Sequence, residues 1–147
     1  MRLWHYALLP YLPRLQLVSQ WRECCCIAKS IAEKGTPNHI LVNRVMDYPV
    51  DNFVQYTEMI IKEFENRGFK INEKALLNFR SNMEKGKYKF NNQRICSLFI
   101  NWHNDIYLRE CLYNLEEKFR AGGIPADEWQ RIYDRFKGFT PLWEGKT

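Results

Sequence analysis

Two adjacent charged residues in a helix-forming stretch, Arg22 and Glu23, are the first candidates for chemistry. At about 100° per residue, Leu17, Trp21, Cys24, Ala28 and Ile31 fall on a stripe roughly 80° wide, the expected core face. Glu23 lies about 120° from the centre of that stripe, on the flank it shares with Gln16 and Ile27. Arg22 lies about 140° away on the other side. A carboxylate at the edge of a buried face can reach a cleft without being solvated all round. With cations nearby it is a candidate catalytic group. An ordinary solvated arginine–glutamate pair on a helix surface shows the same spacing, so the pattern alone leaves both readings open. A second charged set belongs to residues 1–12, which are otherwise apolar and aromatic: the α-amine of Met1, Arg2 and, when protonated, His5. With so few solvating side chains, this segment is expected to pack back across the protein and fix the amine in place, against the usual fraying of chain ends.

The elements that must position these groups are helices. Residues 13–35 read as one long helix, with Pro13 at a position where a missing N–H costs nothing and Gly35 and Pro37 closing it. Residues 36–50 read as a connector in which Ile40, Leu41, Val42, Val45 and Met46 fill core space and His39 makes local hydrogen bonds. Asp51 is the expected N-cap of a second helix with Phe53, Thr57, Ile60, Ile61 and Phe64 inward and Gly68 terminating it. A third helix is expected over about 72–84, inward at Leu76, Leu77, Phe79 and Met83. A fourth is capped by Asn104 or Asp105, carries Leu108, Leu112, Leu115 and Phe119, and stops at Gly122-Gly123. A fifth spans 125–136 with Trp129, Ile132, Tyr133 and Phe136 inward. No strand-like alternation occurs. The expected fold is all-α, a single compact helical domain over 1–147 with the N-terminal segment packed between helices.

The composition suits a folded domain that favours anionic partners. Of 147 residues 46% are apolar and 27% charged, and the net charge is +5, which favours nucleic acid first and acidic membrane surface second. Basic residues alternate with aromatics over 85–94, where Lys85, Lys87, Lys89 and Arg94 surround Tyr88 and Phe90. That run could grip a backbone and stack on bases, or could be a solvated loop with its aromatics docked on the core. Of the five cysteines, three are consecutive, Cys24 to Cys26, and point in different directions on a helix. Their odd count and the lack of a secretory start imply reduced thiols and a cytoplasmic protein. No metal-ligand spacing is present, and no stretch reaches the ~20 apolar residues of a membrane span.

Four stretches, taken in order and with their spacing, resemble the phage endonuclease V family of pyrimidine-dimer DNA glycosylases with abasic-site lyase activity. They are Met1-Arg2-Leu3; Gln16-Leu17-Val18-Ser19-Gln20-Trp21-Arg22-Glu23; Ile60-Ile61-Lys62-Glu63 leading into Arg67-Gly68-Phe69-Lys70-Ile71; and Leu115-Glu116-Glu117-Lys118. The opening Met-Arg-Leu-Trp-His and the Arg-Glu-Cys-Cys run are similar to the cellular branch. The similarity covers roughly residues 1–120.

The resemblance implies a nucleophilic α-amine, here that of Met1 if retained, with Glu23 as the essential acid. Arg2 and Arg22 would contact phosphate and organise the site, and Lys118 matches a basic position on the late helix. Gln16 stands where the phage member has a site histidine, and Cys26 where it has a further arginine, two departures that bear on substrate preference more than on the lyase chemistry. With Lys29, these cations and Gln16 are the expected DNA-contacting residues. An α-amine titrates near neutrality, well below lysine, so it needs no deep burial to act as a nucleophile. The implied partner is double-stranded damaged DNA, attacked by a monomer without metal, organic cofactor or membrane. The alternatives are a non-catalytic nucleic-acid-binding helical domain and a helical protein-interaction module.

Overall fold

The computed structural model describes residues 1–85 and 95–139. Five α-helices account for most of them: α1 (Arg14–Lys34), α2 (Val50–Arg67), α3 (Glu73–Lys85), α4 (Asp105–Arg120) and α5 (Ala126–Phe136). Short 3-10 turns occupy Tyr6–Tyr11, Asn43–Asp47 and Lys137–Phe139. No strand occurs among the described residues, and the fold is all-α. The basic–aromatic run beyond Lys85, residues 86–94, lies outside the described residues, as does 140–147 with Trp143.

The contacts gather into two units. The first comprises Met1–Leu3 and Val18–Phe99, the second Trp4–Leu17 and Ile100–Thr147. In the first unit Trp21, Cys24, Ala28 and Ile31 of α1 are buried, as their spacing requires, and Ile27 joins them. They share the core with Leu3, with Phe53, Tyr56, Ile60 and Phe64 of α2, and with Phe79 and Met83 of α3. The Phe79 ring lies 5.4 Å from Trp21 and 6.1 Å from Phe53, centroid to centroid.

α2 ends as its sequence demands: Gly68 adopts φ 73°, and the N–H of Phe69 returns to the Phe64 carbonyl. Its start differs from expectation. Pro49 is the N-cap, and Asp51 is buried in the first turn, where a carboxylate suits the positive end of the helix. The 36–50 connector differs too. Val42 and Val45 are buried, but Ile40 (86% exposed), Leu41 and Met46 face outward. The 3-10 turn, whose period of three puts its N-cap Val42 and Val45 on one side, turns Met46 outward, while Ile40 and Leu41 lie in the turn before it. His39 makes the local bonds expected of it: its Nδ1 accepts from the Leu41 N–H at 3.3 Å.

In the second unit Leu8, Leu9, Leu12 and Leu17 pack with Leu108, Cys111, Leu112 and Leu115 of α4 and Trp129, Ile132 and Phe136 of α5 among the buried side chains. Asn104 caps α4, its side chain accepting from the Tyr107 N–H at 2.9 Å. Phe119 is half-buried and stacks on Trp129 at 5.2 Å.

Candidate functional site

α1 is set by its two ends. The Leu17 N–H closes the first turn on the Pro13 carbonyl, and Gly35, at φ 75°, closes the last on Ile31. Between them the helix carries Arg22 exposed, Glu23 half-buried and Lys29 exposed. Glu23 therefore sits where its angle placed it, at the margin of the core.

Within the first unit the Met1–Leu3 segment and Glu23 meet at a residue the sequence reading passed over. Gln20 is fully buried. Its Nε2 donates to the Arg2 carbonyl at 2.9 Å and to Glu23 Oε2 at 3.0 Å. Its Oε1 accepts from the Tyr56 hydroxyl of α2 at 2.8 Å. The donor from Tyr56 fixes which end of the amide is oxygen, since the reverse would set a carbonyl against two acceptors. A buried amide is costly unless bonded, and this one uses both N–H groups. One signal could have found it. Gln20 lies only about 60° from the centre of the apolar stripe, on the Glu23 side, where a polar residue must have a partner.

Leu3 is fully buried and holds the segment; Arg2 is half-buried and Met1 43% exposed. The expected cations and polar groups divide between the units. Arg2, Arg22 and Lys29 belong to the first with Glu23; Gln16 and Lys118 belong to the second. Lys29 lines an open groove of about 420 Å³ between α1 and α3, with Lys85, Glu33, Asn78 and Asn82 among its walls. Gln16 is half-buried, and its shielded Oε1 has no hydrogen-bond partner among the described residues. Lys118 Nζ lies over the Trp4 ring, 5.9 Å from its centroid.

The second unit anchors the residues that follow Leu3. The Ala7 N–H donates to His5 Nδ1 at 3.0 Å, which places the proton on Nε2, and that nitrogen lies 2.9 Å from the His103 carbonyl. The Tyr6 N–H donates in turn to His103 Nδ1 at 3.1 Å. The His5 and His103 rings stack at 5.2 Å. Burial lowers the His5 pKa to about 4, overcoming the His103 carbonyl and Asp105, which favour the cation. His5 is thus a neutral structural group near pH 7.

The cysteines are free thiols. Burial raises the Cys24 pKa well above the ordinary thiol value. Burial, with Cys26 beside it, raises that of Cys25 to about 11. Among the described residues no group of histidine, cysteine, aspartate or glutamate side chains is arranged to hold a metal ion, and no helix is long and apolar enough to cross a membrane.

A family profile described as pyrimidine dimer DNA glycosylase matches residues 1–77, more than half of the chain. The match takes in the Met1–Leu3 segment, all of α1 with Gln20, Arg22 and Glu23, and α2 with Tyr56. No curated protein and no solved structure matches the chain.

Proposed function

The chain belongs to the pyrimidine dimer DNA glycosylase family, and on that premise we propose that it removes a damaged base and then cuts the strand as an abasic-site lyase. In this reading the Met1 α-amine is the nucleophile and Glu23 the acid group. The observation that carries the reading is the Gln20 amide, which bonds the Arg2 carbonyl and the Glu23 carboxylate at once. The amine lies one residue upstream of that carbonyl. The two N–H directions of an amide diverge by about 120°, so its two acceptors lie on the order of 5 Å apart. The amide so holds the first residues of the chain beside the Glu23 carboxylate, as a mechanism that brings an amine and a carboxylate to one deoxyribose requires.

The chemistry balances without a cofactor. The neutral amine attacks the sugar C1′, and the glycosidic bond breaks with its electron pair leaving on the base, which takes up a proton. Ring opening gives a cationic imine between C1′ and the Met1 nitrogen. The iminium acidifies the C2′ proton, and its removal expels the 3′ phosphate by β-elimination. Hydrolysis of the imine returns the free amine. Glu23 stabilises the cationic sugar and assists the proton transfers.

The substrate in this proposal is double-stranded damaged DNA, kinked or with a nucleotide extruded so that C1′ can be reached; a lesion lowers that cost. Arg2, Arg22, Lys29 and Lys118 contact phosphate, supplying affinity that is sequence-blind and salt-dependent. Gln16, at the position of the phage member's site histidine, is a further DNA-contacting residue in this proposal. The protein acts as a monomer in the cytoplasm, a reducing compartment that its free thiols fit.

Borohydride trapping on a duplex with one abasic site tests the reading. The untagged protein should give a covalent adduct, and an N-terminal tag or Glu23→Gln should abolish it. If the tagged protein traps as well as the untagged one, the amine is not the nucleophile. Salt-dependent DNA binding without adduct or strand cleavage would favour the non-catalytic alternative.

A further inference from the structure

We propose that Gln20 is a positioning residue of this site, one that sets the distance between the start of the chain and Glu23 and acts on the reaction only through them. The proposal rests on the lyase reading above and deepens it. Three observations carry it: the side chain is fully buried, both its N–H groups are directed to the two parts of the site, and its oxygen is held by a hydroxyl from another helix.

The chemistry of position 20 explains the residue type. Two donors and one acceptor are needed on one planar group, and among side chains of this length only glutamine supplies them. Glutamate could accept from Tyr56 but would face the Glu23 carboxylate with like charge and give the Arg2 carbonyl no donor. Methionine would fill the space and bond nothing. Glu23 is three residues along the same helix, a neighbour of Gln20 on the surface of α1. The Arg2 carbonyl comes from a segment without regular secondary structure. The amide therefore ties a segment outside any helix to a helix. Tyr56 supports it from α2, where the tyrosine is itself fully buried and its ring packs edge-on to Phe99 at 5.9 Å.

The test compares wild type, Gln20→Met and Tyr56→Phe in two assays. The first is cleavage of abasic-site duplex under saturating and subsaturating conditions. Gln20→Met should lower kcat about 10- to 100-fold, the cost of misplacing reacting groups by roughly 1 Å. KM and DNA affinity should stay within about threefold, because Arg22, Lys29 and Lys118 keep their places and only the backbone of Arg2 is released. Tyr56→Phe, which keeps the amide but frees it to turn, should fall between. The second assay needs no catalysis: the rate at which acetic anhydride acylates the Met1 α-amine in the free protein near neutral pH. Loss of the clamp should raise it roughly fivefold by favouring local opening. A variant with unchanged kcat and an unchanged acylation rate overturns the proposal, as does a loss confined to KM. If wild type itself cleaves nothing, the lyase reading falls. The acylation rates then decide whether Gln20 holds the segment: a faster rate in Gln20→Met supports the clamp, and an equal rate overturns it.

Discussion

Replacing His5 by asparagine should remove much of the acid sensitivity of the fold between pH 6.5 and pH 4. In the native state His5 is 5% exposed and neutral, with a pKa lowered to about 4 from an ordinary 6.5. The unfolded chain takes up a proton near pH 6.5 that the native chain refuses until about pH 4. In that window the unfolded state binds more protons, so stability falls as the pH falls. The stabilisation is fully present above pH 6.5 and is lost as the pH passes down through 4. The shift corresponds to about 3 kcal/mol. Asparagine at position 5 can still accept from the Ala7 N–H through Oδ1 but has no group that titrates. Urea midpoints at about pH 7, 6, 5 and 4.5 for wild type and His5→Asn isolate the contribution of His5, because every carboxylate is common to both. The variant should be less stable at pH 7 for want of the His103 bond, and the two curves should converge towards pH 4. Parallel curves across the window would refute the assignment of a buried neutral imidazole.

Two further outcomes follow from the cations and thiols. Arg22→Ala and Lys29→Ala should each weaken binding to duplex DNA regardless of sequence and reduce the salt slope of log K by about 0.9 per lost phosphate contact, read from titrations at several salt concentrations. At pH 8.5 iodoacetamide should alkylate the exposed Cys26 at least about tenfold faster than Cys25, whose pKa is raised to about 11, with the order read by peptide mass mapping.

What the sequence made legible is what short-range rules govern. The α1 stripe from Leu17 to Ile31 is buried residue for residue, Gly35 and Gly68 take the left-handed conformation, and Asn104 caps α4. These follow from helical period and cap chemistry alone. The connector differs because a 3-10 turn sets Val42 and Val45 on its inner side and Met46 outside, while Ile40 and Leu41 fall in the turn that precedes it. Long-range pairs carry no local signal. The bond between His5 and His103 joins residues 98 apart. Asn52 accepts the N–H of Phe99, a residue held at φ 51° against the steric preference of a bulky side chain, by a bond spanning 47 residues. For the candidate site, angle and charge singled out Glu23, and the apolar first residues singled out the chain start. The group that joins them was hidden because a glutamine among apolar neighbours announces only that a partner exists, and Tyr56 is 36 residues away.

That buried glutamine also allows stability and activity to be separated. Gln20→Met alone removes the acceptor of the Tyr56 hydroxyl, and Tyr56→Phe alone removes the donor to Gln20 Oε1; each should destabilise the protein by about 1–3 kcal/mol. Replacing both by groups of the same shape leaves neither half of that bond behind, and such paired replacements are close to neutral or stabilising. Arg2 and Glu23 are only half-buried, so water can take over as donor to both. The Gln20→Met/Tyr56→Phe protein should therefore lie within about 1 kcal/mol of wild type by urea denaturation, well short of the sum of the single losses. Its cleavage rate should nonetheless stay as low as that of Gln20→Met. Recovered stability with unrecovered rate is what a polar group retained for geometry predicts. If the two penalties add instead, the amide and the hydroxyl act independently on the core. If the rate returns together with stability, the amide was serving the fold rather than the site.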